Sequence, residues 1–448
     1  MKSQQLHKQF LRIKHQITHF TWGGAWALAL PTYKQRNLTY FFYDGLFSAA
    51  GDKIILTYLT IYLLTLGVSG QQIGFLSSIT NFSNALLLLP AAFLVEQTGD
   101  RKHIAIKSML TGHLMIICMA VLPFFLLGSS ALIWIMLALV ILREAASNFA
   151  YPGWMDLTAD IVPIEGRGRY FSSRNFIMGL ASILITLLMG EFITLMGEPL
   201  GYQLAFLLAA LFRIIAVTFF NRIKDPVPPQ KIERHQESQF KPSFLNYLQS
   251  FLASIKEHPH FIRFIIYVAV LNFSIQISAP FFTVYMVETL HLTAAMIGVV
   301  TVMNAVANML VQRRTGALVD QWGNRSVSLG LIFLIPLVSL IWGLWVHNYW
   351  QAIAVEIFSG LVWGGFNLVS FNALLQQTPE DQRARFSACY QIVVMLSLAL
   401  GAGFGSLVFP KIEFVGVTLF STAGRLIAAL LFLFLVKDIR ESKQASTG

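Results

Sequence analysis

Three observations predict an all-α membrane protein, with 12 transmembrane helices in two pseudo-symmetric six-helix bundles, for this chain of 448 residues. The first is composition: 56% of residues are hydrophobic and 12% are charged, where a soluble domain carries about 25% charge. A water-soluble body this apolar would have nothing to cover its surface with. The second is a series of apolar runs, each near the ~20 residues a helix needs to cross a hydrocarbon core of about 30 Å. The third is an internal repeat. Leu66–Gly74, LGVSGQQIG, returns as Leu290–Gly298, LHLTAAMIG, and Gly99 with Arg101 returns as Gly323 with Arg325. Pro163, Arg167 and Arg169 return as Pro379, Arg383 and Arg385, and Arg213-Ile-Ile-Ala returns as Arg425-Leu-Ile-Ala. Paired halves of an apolar chain are a common plan for transporters, in which one half rocks against the other.

The apolar runs lie near 38–65, 71–95, 104–128, 130–159, 169–195 and 200–222, then 261–287, 294–318, 326–346, 349–375, 386–409 and 413–436. The first six form a bundle over 38–222 and the last six a bundle over 261–437. A polar stretch, 223–260, holds DPVPPQ, KIERHQESQ and KEHPH, and its proline and charge content marks a cytoplasmic linker. Residues 1–37 form a basic N-terminal segment. In it Leu6, Phe10, Ile13, Ile17 and Phe20 recur at helical spacing among Lys8, Arg12 and Lys14, as in an amphipathic helix lying on a membrane surface. No short apolar core with a small-residue cleavage site precedes it, so no cleaved signal peptide is expected. Residues 438–448 are a polar tail.

Charge placement sets the orientation. With both termini inside, the cytoplasmic segments collect 27 Lys and Arg, the external loops collect Lys411 alone, and Lys53, Arg143, Arg213 and Arg425 lie within spans. The opposite orientation would invert the positive-inside rule. The expected location is the cell (plasma or inner) membrane, multi-pass, with both termini cytoplasmic. The net charge of +10 therefore reads as membrane topology, and no nucleic-acid partner is expected. Cys118 and Cys389 both sit in apolar runs and imply neither a disulfide framework nor a metal site.

Three loops carry recognisable motifs. The connection between spans eight and nine reads Gly316-Ala-Leu-Val-Asp320-Gln-Trp-Gly323-Asn-Arg325. Ala92, Glu96, Gly99 and Arg101 make a weaker copy between spans two and three, and Ala159-Asp160-Ile-Val-Pro163 with Arg167, Gly168 and Arg169 follows span four. These resemble the G-x-x-x-D-x-x-G-x-R and A-D-x-x-P…R-G-R loops of the major facilitator superfamily, over about residues 38–437. The resemblance implies a cytoplasmic gate built from Glu96, Gly99, Arg101, Asp160, Arg167, Arg169, Gly316, Asp320, Gly323, Arg325, Arg383 and Arg385. In it Asp320 and Glu96 face helix N-termini and Asp160 pairs with the 2–3 loop. The copy departs from the family at Gln97 and Asp100, where Arg is common, and Gln376 stands near the place matching Asp160. The G-x-x-x-G-P-x-x-G pattern of many drug–proton antiporters is missing from Asn175 to Leu195.

Charges inside spans are costly, about 2.5–3.5 kcal/mol each on insertion scales, and usually face a cavity or a partner. Charges present in both halves, Arg213 and Arg425, read as structural, through snorkelling or backbone pairing. Unmatched ones point to solute or ion. Asp44, Ser48 and Asp52 make a stripe on span one, about 12 Å from Asp44 to Asp52. Lys53 points some 100° away from Asp52 and needs another partner, while Asp44 reads as nearer the inner surface and solvated there. Span four carries Arg143, Glu144 and Asn148, span seven Asn272 and Gln276, and span ten Glu356, Trp363 and Asn367. By resemblance, spans one, four, seven and ten line a central cavity. These residues, with Asp52 and Lys53, are the candidates for solute or proton, and Asp52, Glu144 and Glu356 are the proton candidates. Tyr58, Tyr62, Trp154 and Trp363 are candidates for an aromatic platform.

No cofactor is expected: there is no Walker-type glycine loop and no nucleophile–base constellation. His113 and His347 stand alone, without neighbours at metal-ligand spacing. The function expected is secondary active transport of a small polar or cationic organic solute by alternating access, with a proton as the candidate coupling ion, by a monomer in the lipid bilayer. A passive facilitator of the same fold and a non-transporting membrane sensor or scaffold are the alternatives, and an enzyme is not expected.

Overall fold

The computed structural model describes residues 21–225, 257–379 and 382–436, with backbone alone at Leu89, Glu96 and residues 383–385. The expected amphipathic helix before Thr21, most of the linker and the polar tail lie outside the described residues.

Every long element is a helix, and each boundary has a local cause. α1, Thr32–Thr65, begins after Pro31, and the chain leaves it through Gly67 at φ 91°. α2, Gly70–Thr98, carries Pro90 within it. The chain then turns through Gly99 at φ 65° into α3, Arg101–Val121, whose N-terminus is capped by the Asp100 side chain accepting from the His103 amide. Ser129 caps α4, Ser130–Ile161, and Pro163 opens α5, Ile164–Met196, followed by α6, Leu200–Arg222. The Gly99 turn recurs at Gly323, φ 79°, between α8, Ala294–Trp322, and α9, Asn324–Leu344. Both repeat copies need a residue without a β-carbon at this left-handed position. α7 covers Pro259–Glu288 and breaks at Ala279-Pro280, and Asn348 caps α10, Tyr349–Gln377.

The last helical stretch, Arg383–Leu435, has 53 residues. At 1.5 Å per residue that is about 80 Å, more than twice a hydrocarbon core. Glu413, at φ 54° and ψ −166°, breaks it into two limbs, α11 (383–412) and α12 (414–435). The described residues hold 11 helical stretches long and apolar enough to span a membrane. Counting the broken stretch as two brings them to the twelve expected runs, in an all-α fold.

The helices pack as two compact units. The first holds the described residues up to Leu66 and from Leu86 to 225; the second holds Gly67–Ala85 and the described residues from 257 onward. The first half of α2 thus packs with helices that follow the linker. Three contacts tie it there: Gln276 Nε2 donates to Ser77 Oγ (2.8 Å), Ser78 Oγ to Ala399 O (2.8 Å) and Ser406 Oγ to Gln71 O (2.7 Å). In the first unit the segment before α1 is part of the core. Trp22 and Ala27 pack with Leu38, Leu157, Tyr170 and Phe220, which joins the ends of α1, α4, α5 and α6.

Bilayer lipid is as apolar as leucine, so helices here associate through close packing and hydrogen bonds. In the second unit Gly360 and Gly364, one turn apart, bring α10 onto the backbone of α8 at Asn304 and Asn308. Gly401 and Gly405 do the same for α11 on α7 at Phe273 and Ile277. Gly360→Ala should force α8 and α10 apart and cost about 1–3 kcal/mol. Gly316→Ala, whose β-carbon would meet nothing nearer than Leu368 Cδ2 at 4.0 Å, should leave stability unchanged. Thermal unfolding of the purified protein in detergent separates the two.

Candidate functional site

The expected site residues fall into three places. The densest is a knot of charge in the first unit, built by four helices. Gly51 on α1 makes room for α6: a β-carbon there would lie 2.9 Å from both Ala209 O and Arg213 Cγ. Arg213 crosses this gap, and its Nη1 meets Asp52 Oδ2 at 2.8 Å. Its Nε donates to His113 Nε2 on α3 at 2.9 Å. Gly112 brings α3 against the backbone of α4 at Arg143. Arg143 sends Nη2 to Asp52 Oδ1 at 3.6 Å and Nη1 to the carboxylate of its neighbour Glu144. The two arginine side chains are 14% and 13% exposed, whereas Asp52 is 47% exposed. The carboxylate therefore stands at the open side of the knot with the cations behind it. Lys53 is half-buried and forms no ion pair with another described residue. Asn148 turns its amide to Glu144 O on its own helix, at 2.8 Å.

Arg213 thus pairs with side chains of other helices, in place of the expected snorkelling or backbone pairing, while its repeat mate bonds mainly backbone. Arg425 is 2% exposed and donates to Ile335 O (3.3 Å), Ile275 O (3.4 Å) and Ser278 Oγ (3.2 Å). His113, read as a lone histidine, is a partner of Arg213. Among the described residues no group of His, Cys, Asp and Glu is placed to hold a metal ion.

The second place is around Glu356 on α10. Its Oε2 accepts from Asn304 Nδ2 on α8 at 2.6 Å and its Oε1 from Trp342 Nε1 on α9 at 3.0 Å. Both donors are neutral, and no described cation forms an ion pair with it. Asn367, on the same helix, is exposed, and Trp363 packs edge-on against Phe366. Asn272 bonds Val268 O on its own helix at 2.8 Å. Glu356 takes its side-chain hydrogen bonds from Asn304 and Trp342 rather than from these residues. The aromatic platform is not assembled either: Tyr58 and Tyr62 are fully buried and donate to Thr186 O (2.6 Å) and Met119 O (3.0 Å) as ties between helices.

The third place is the end of each unit where the motif loops lie. Arg101 gathers three carboxylates: Asp160 and Asp225 at 2.7 Å and Asp156 at 2.9 Å. Lys102 adds bonds to Asn221 O (2.7 Å) and Ile223 O (2.8 Å) at the end of α6. The matching Arg325 donates to Leu433 O (3.2 Å) and Val436 O (3.1 Å) at the end of α12. In both units, then, the motif arginine staples the start of the third helix to the end of the sixth. Arg167 caps α4 through Ala159 O (2.7 Å) and Val162 O (3.1 Å). Arg169 and Asp320 are exposed, and Asp320 forms no ion pair with a described residue. The side chains of Glu96, Arg383 and Arg385 lie outside those described.

With this geometry established, the sequence matches the profile of the Major Facilitator Superfamily over residues 45–283 and again over 264–448. The chain belongs to the Major Facilitator Superfamily. Solved structures with the same fold include a mutant of the nucleoside transporter NupG, at TM-score 0.71 and 12% identity, covering 91% of this chain and 100% of that one. A bacterial homologue of the iron transporter ferroportin, in an inward-facing state, has TM-score 0.67 and 16% identity and covers 90% and 99%. A POT family transporter in complex with 5-aminolevulinic acid has TM-score 0.66 and 14% identity and covers 90% and 95%. No curated protein sequence matches the chain. Membership makes it a multi-pass membrane protein with the fold of transporters.

Two buried residues of this superfamily member escaped sequence reasoning. Arg174, counted with the cytoplasmic charges, is 5% exposed inside α5, with its guanidinium over the Phe41 ring at 4.2 Å. It occupies the space left by Gly45, whose β-carbon would lie 2.6 Å from Arg174 Nε. Asp44, expected to be solvated, is 3% exposed on α1, facing the Arg174 charge and the Trp154 side chain. Spacing places an arginine near a span end but does not say that a glycine on another helix opens a hole for it.

The Asp52–Arg213 contact lends itself to a coupling measurement. Asp52→Asn and Arg213→Gln should each destabilise the protein. The double variant should cost less than the sum of the two by about 0.5–3 kcal/mol, measured by unfolding in detergent.

Proposed function

We propose that the chain is a secondary active transporter that moves a small polar organic solute by alternating access and draws on the proton gradient. The observation that supports this best is the knot of Asp52, His113, Arg143, Glu144 and Arg213, set by four helices within apolar spans of a superfamily fold. Ionisable groups are kept at such a depth for a pathway or a counter-charge. The cationic solute expected from the sequence loses support. It rested on acids, amides and aromatics lining one cavity, and Asp52, Glu144 and Glu356 each already have donors.

Glu356 is the candidate for the coupled proton. It is held by an amide and an indole rather than by a cation, so it can take up and release a proton without breaking an ion pair. The arginine staples at Arg101 and Arg325, with Asp160, are the candidate gate contacts, on the cytoplasmic side if the charge bias is read as topology. On the same reading the protein is a monomer in the cell membrane with both termini inside.

Reconstitution into liposomes tests the proposal. Concentrative uptake should appear with an inward proton gradient and vanish when the gradient is collapsed. Glu356→Gln should abolish concentrative uptake and spare exchange. Uptake that never exceeds equilibrium would make the chain a passive facilitator. No movement of any solute under any gradient would leave a sensor or scaffold.

A further inference from the structure

The charged knot of the first unit has more hydrogen-bond donors than acceptors. Asp52 and Glu144 are its carboxylates. Arg143 and Arg213 are its paired cations; Lys53, the residue after Asp52 on α1, points about 100° away and forms no ion pair with a described residue. Asp44 is buried on the same helix, with the charge of Arg174 acting on it most and that of Arg213 next, and it forms an ion pair with neither. His113 adds a third donor. Its Nε2 accepts from Arg213 Nε, so this nitrogen carries no proton and the ring proton sits on Nδ1. Nδ1 is buried and has no partner among the described residues, in a side chain only 3% exposed. An unmet donor and an uncompensated cation at this depth are both costly.

We propose that this knot is a receptor for an acidic group of the solute, and that the transported molecule is a small organic anion. The geometry states how it binds. Asp52 is the exposed member of the knot, and the two arginines lie behind it. A carboxylate or phosphate group entering from the open side takes the guanidinium donors now held by Asp52, for which arginine's planar fork is suited. Lys53, the neighbouring cation on α1, adds positive charge to the same stretch of helix without pairing to a described carboxylate. No covalent step is involved. The inference rests on the transporter reading for its meaning but not for its test, because binding is measured without transport.

The test is equilibrium binding to the purified full-length chain in detergent, read by thermal shift and calorimetry. Probes are dicarboxylates, amino acids, sugar phosphates and inorganic phosphate, set against methyl esters of the same acids, neutral sugars and quaternary amines. At least one class of acid should bind while its ester does not, and the choice between carboxylates and phosphates identifies the group. Arg213→Gln should weaken that binding tenfold or more. Lys53→Gln, which breaks no ion pair with a described residue, should weaken it severalfold and serves if the arginine variant does not fold. Asp52→Asn should strengthen it severalfold, because the competing carboxylate is gone; a residue that merely braced the helices would not act in that direction. The proposal is overturned if no acid binds, if quaternary amines bind in place of acids, or if Asp52→Asn weakens acid binding as Arg213→Gln does. Acids that bind but never cross a liposome membrane would overturn the transporter reading, and with it the claim that the anion is transported, and leave the binding site standing. Transport of a neutral solute without acid binding would do the reverse.

Discussion

A charge inside a bilayer-spanning helix has to be matched by the protein, because lipid offers neither water nor counter-ion. That constraint organises this molecule. At about 2.5–3.5 kcal/mol for each unmatched charge on insertion scales, the charged side chains within the described spans cannot be scattered at random, and most of them are not. Asp52 joins Arg143 and Arg213, Asp44 faces Arg174, and Arg425 is wrapped in carbonyl and hydroxyl oxygens. Each match has to reach across helices, so each also decides which helices touch.

The two units answer the constraint differently. The first uses opposite charges. The second uses neutral partners: Asn304 and Trp342 for Glu356, and backbone carbonyls with Ser278 for Arg425. An ion pair in low dielectric resists change until something of the same charge replaces one member. A carboxylate held by neutral donors keeps its neighbours whether or not it carries a proton. What the units share is mechanical. Glycine turns at Gly99 and Gly323 deliver an arginine to the end of the sixth helix of each unit, where carbonyls or an aspartate receive it.

Close approach of backbones is what lets these side chains meet. Gly51 admits Arg213, Gly45 admits Arg174, Gly112 seats α3 on α4, and Gly360 seats α10 on α8 where Asn304 reaches Glu356. Read along the chain these glycines are indistinct from the others. Their meaning lies in the atom on another helix that fills the space where a β-carbon would stand.

Sequence alone determined the class of the fold, the order and approximate number of the spans and the places where the two halves match. All three follow from properties carried by each segment itself: apolar length, turn residues and loop motifs that repeat. It also marked Asp52, Arg143, Glu144 and Glu356 as costly at membrane depth, because cost depends on residue type and position alone. Tertiary structure alone decided who matches whom. It paired Arg213 with Asp52, brought His113 to it, buried Asp44 and Arg174, and turned Tyr58 and Tyr62 into helix ties. Pairing depends on rotation and separation of helices far apart in the chain, and one residue of helical register is about 100°, enough to turn a side chain from a partner to lipid.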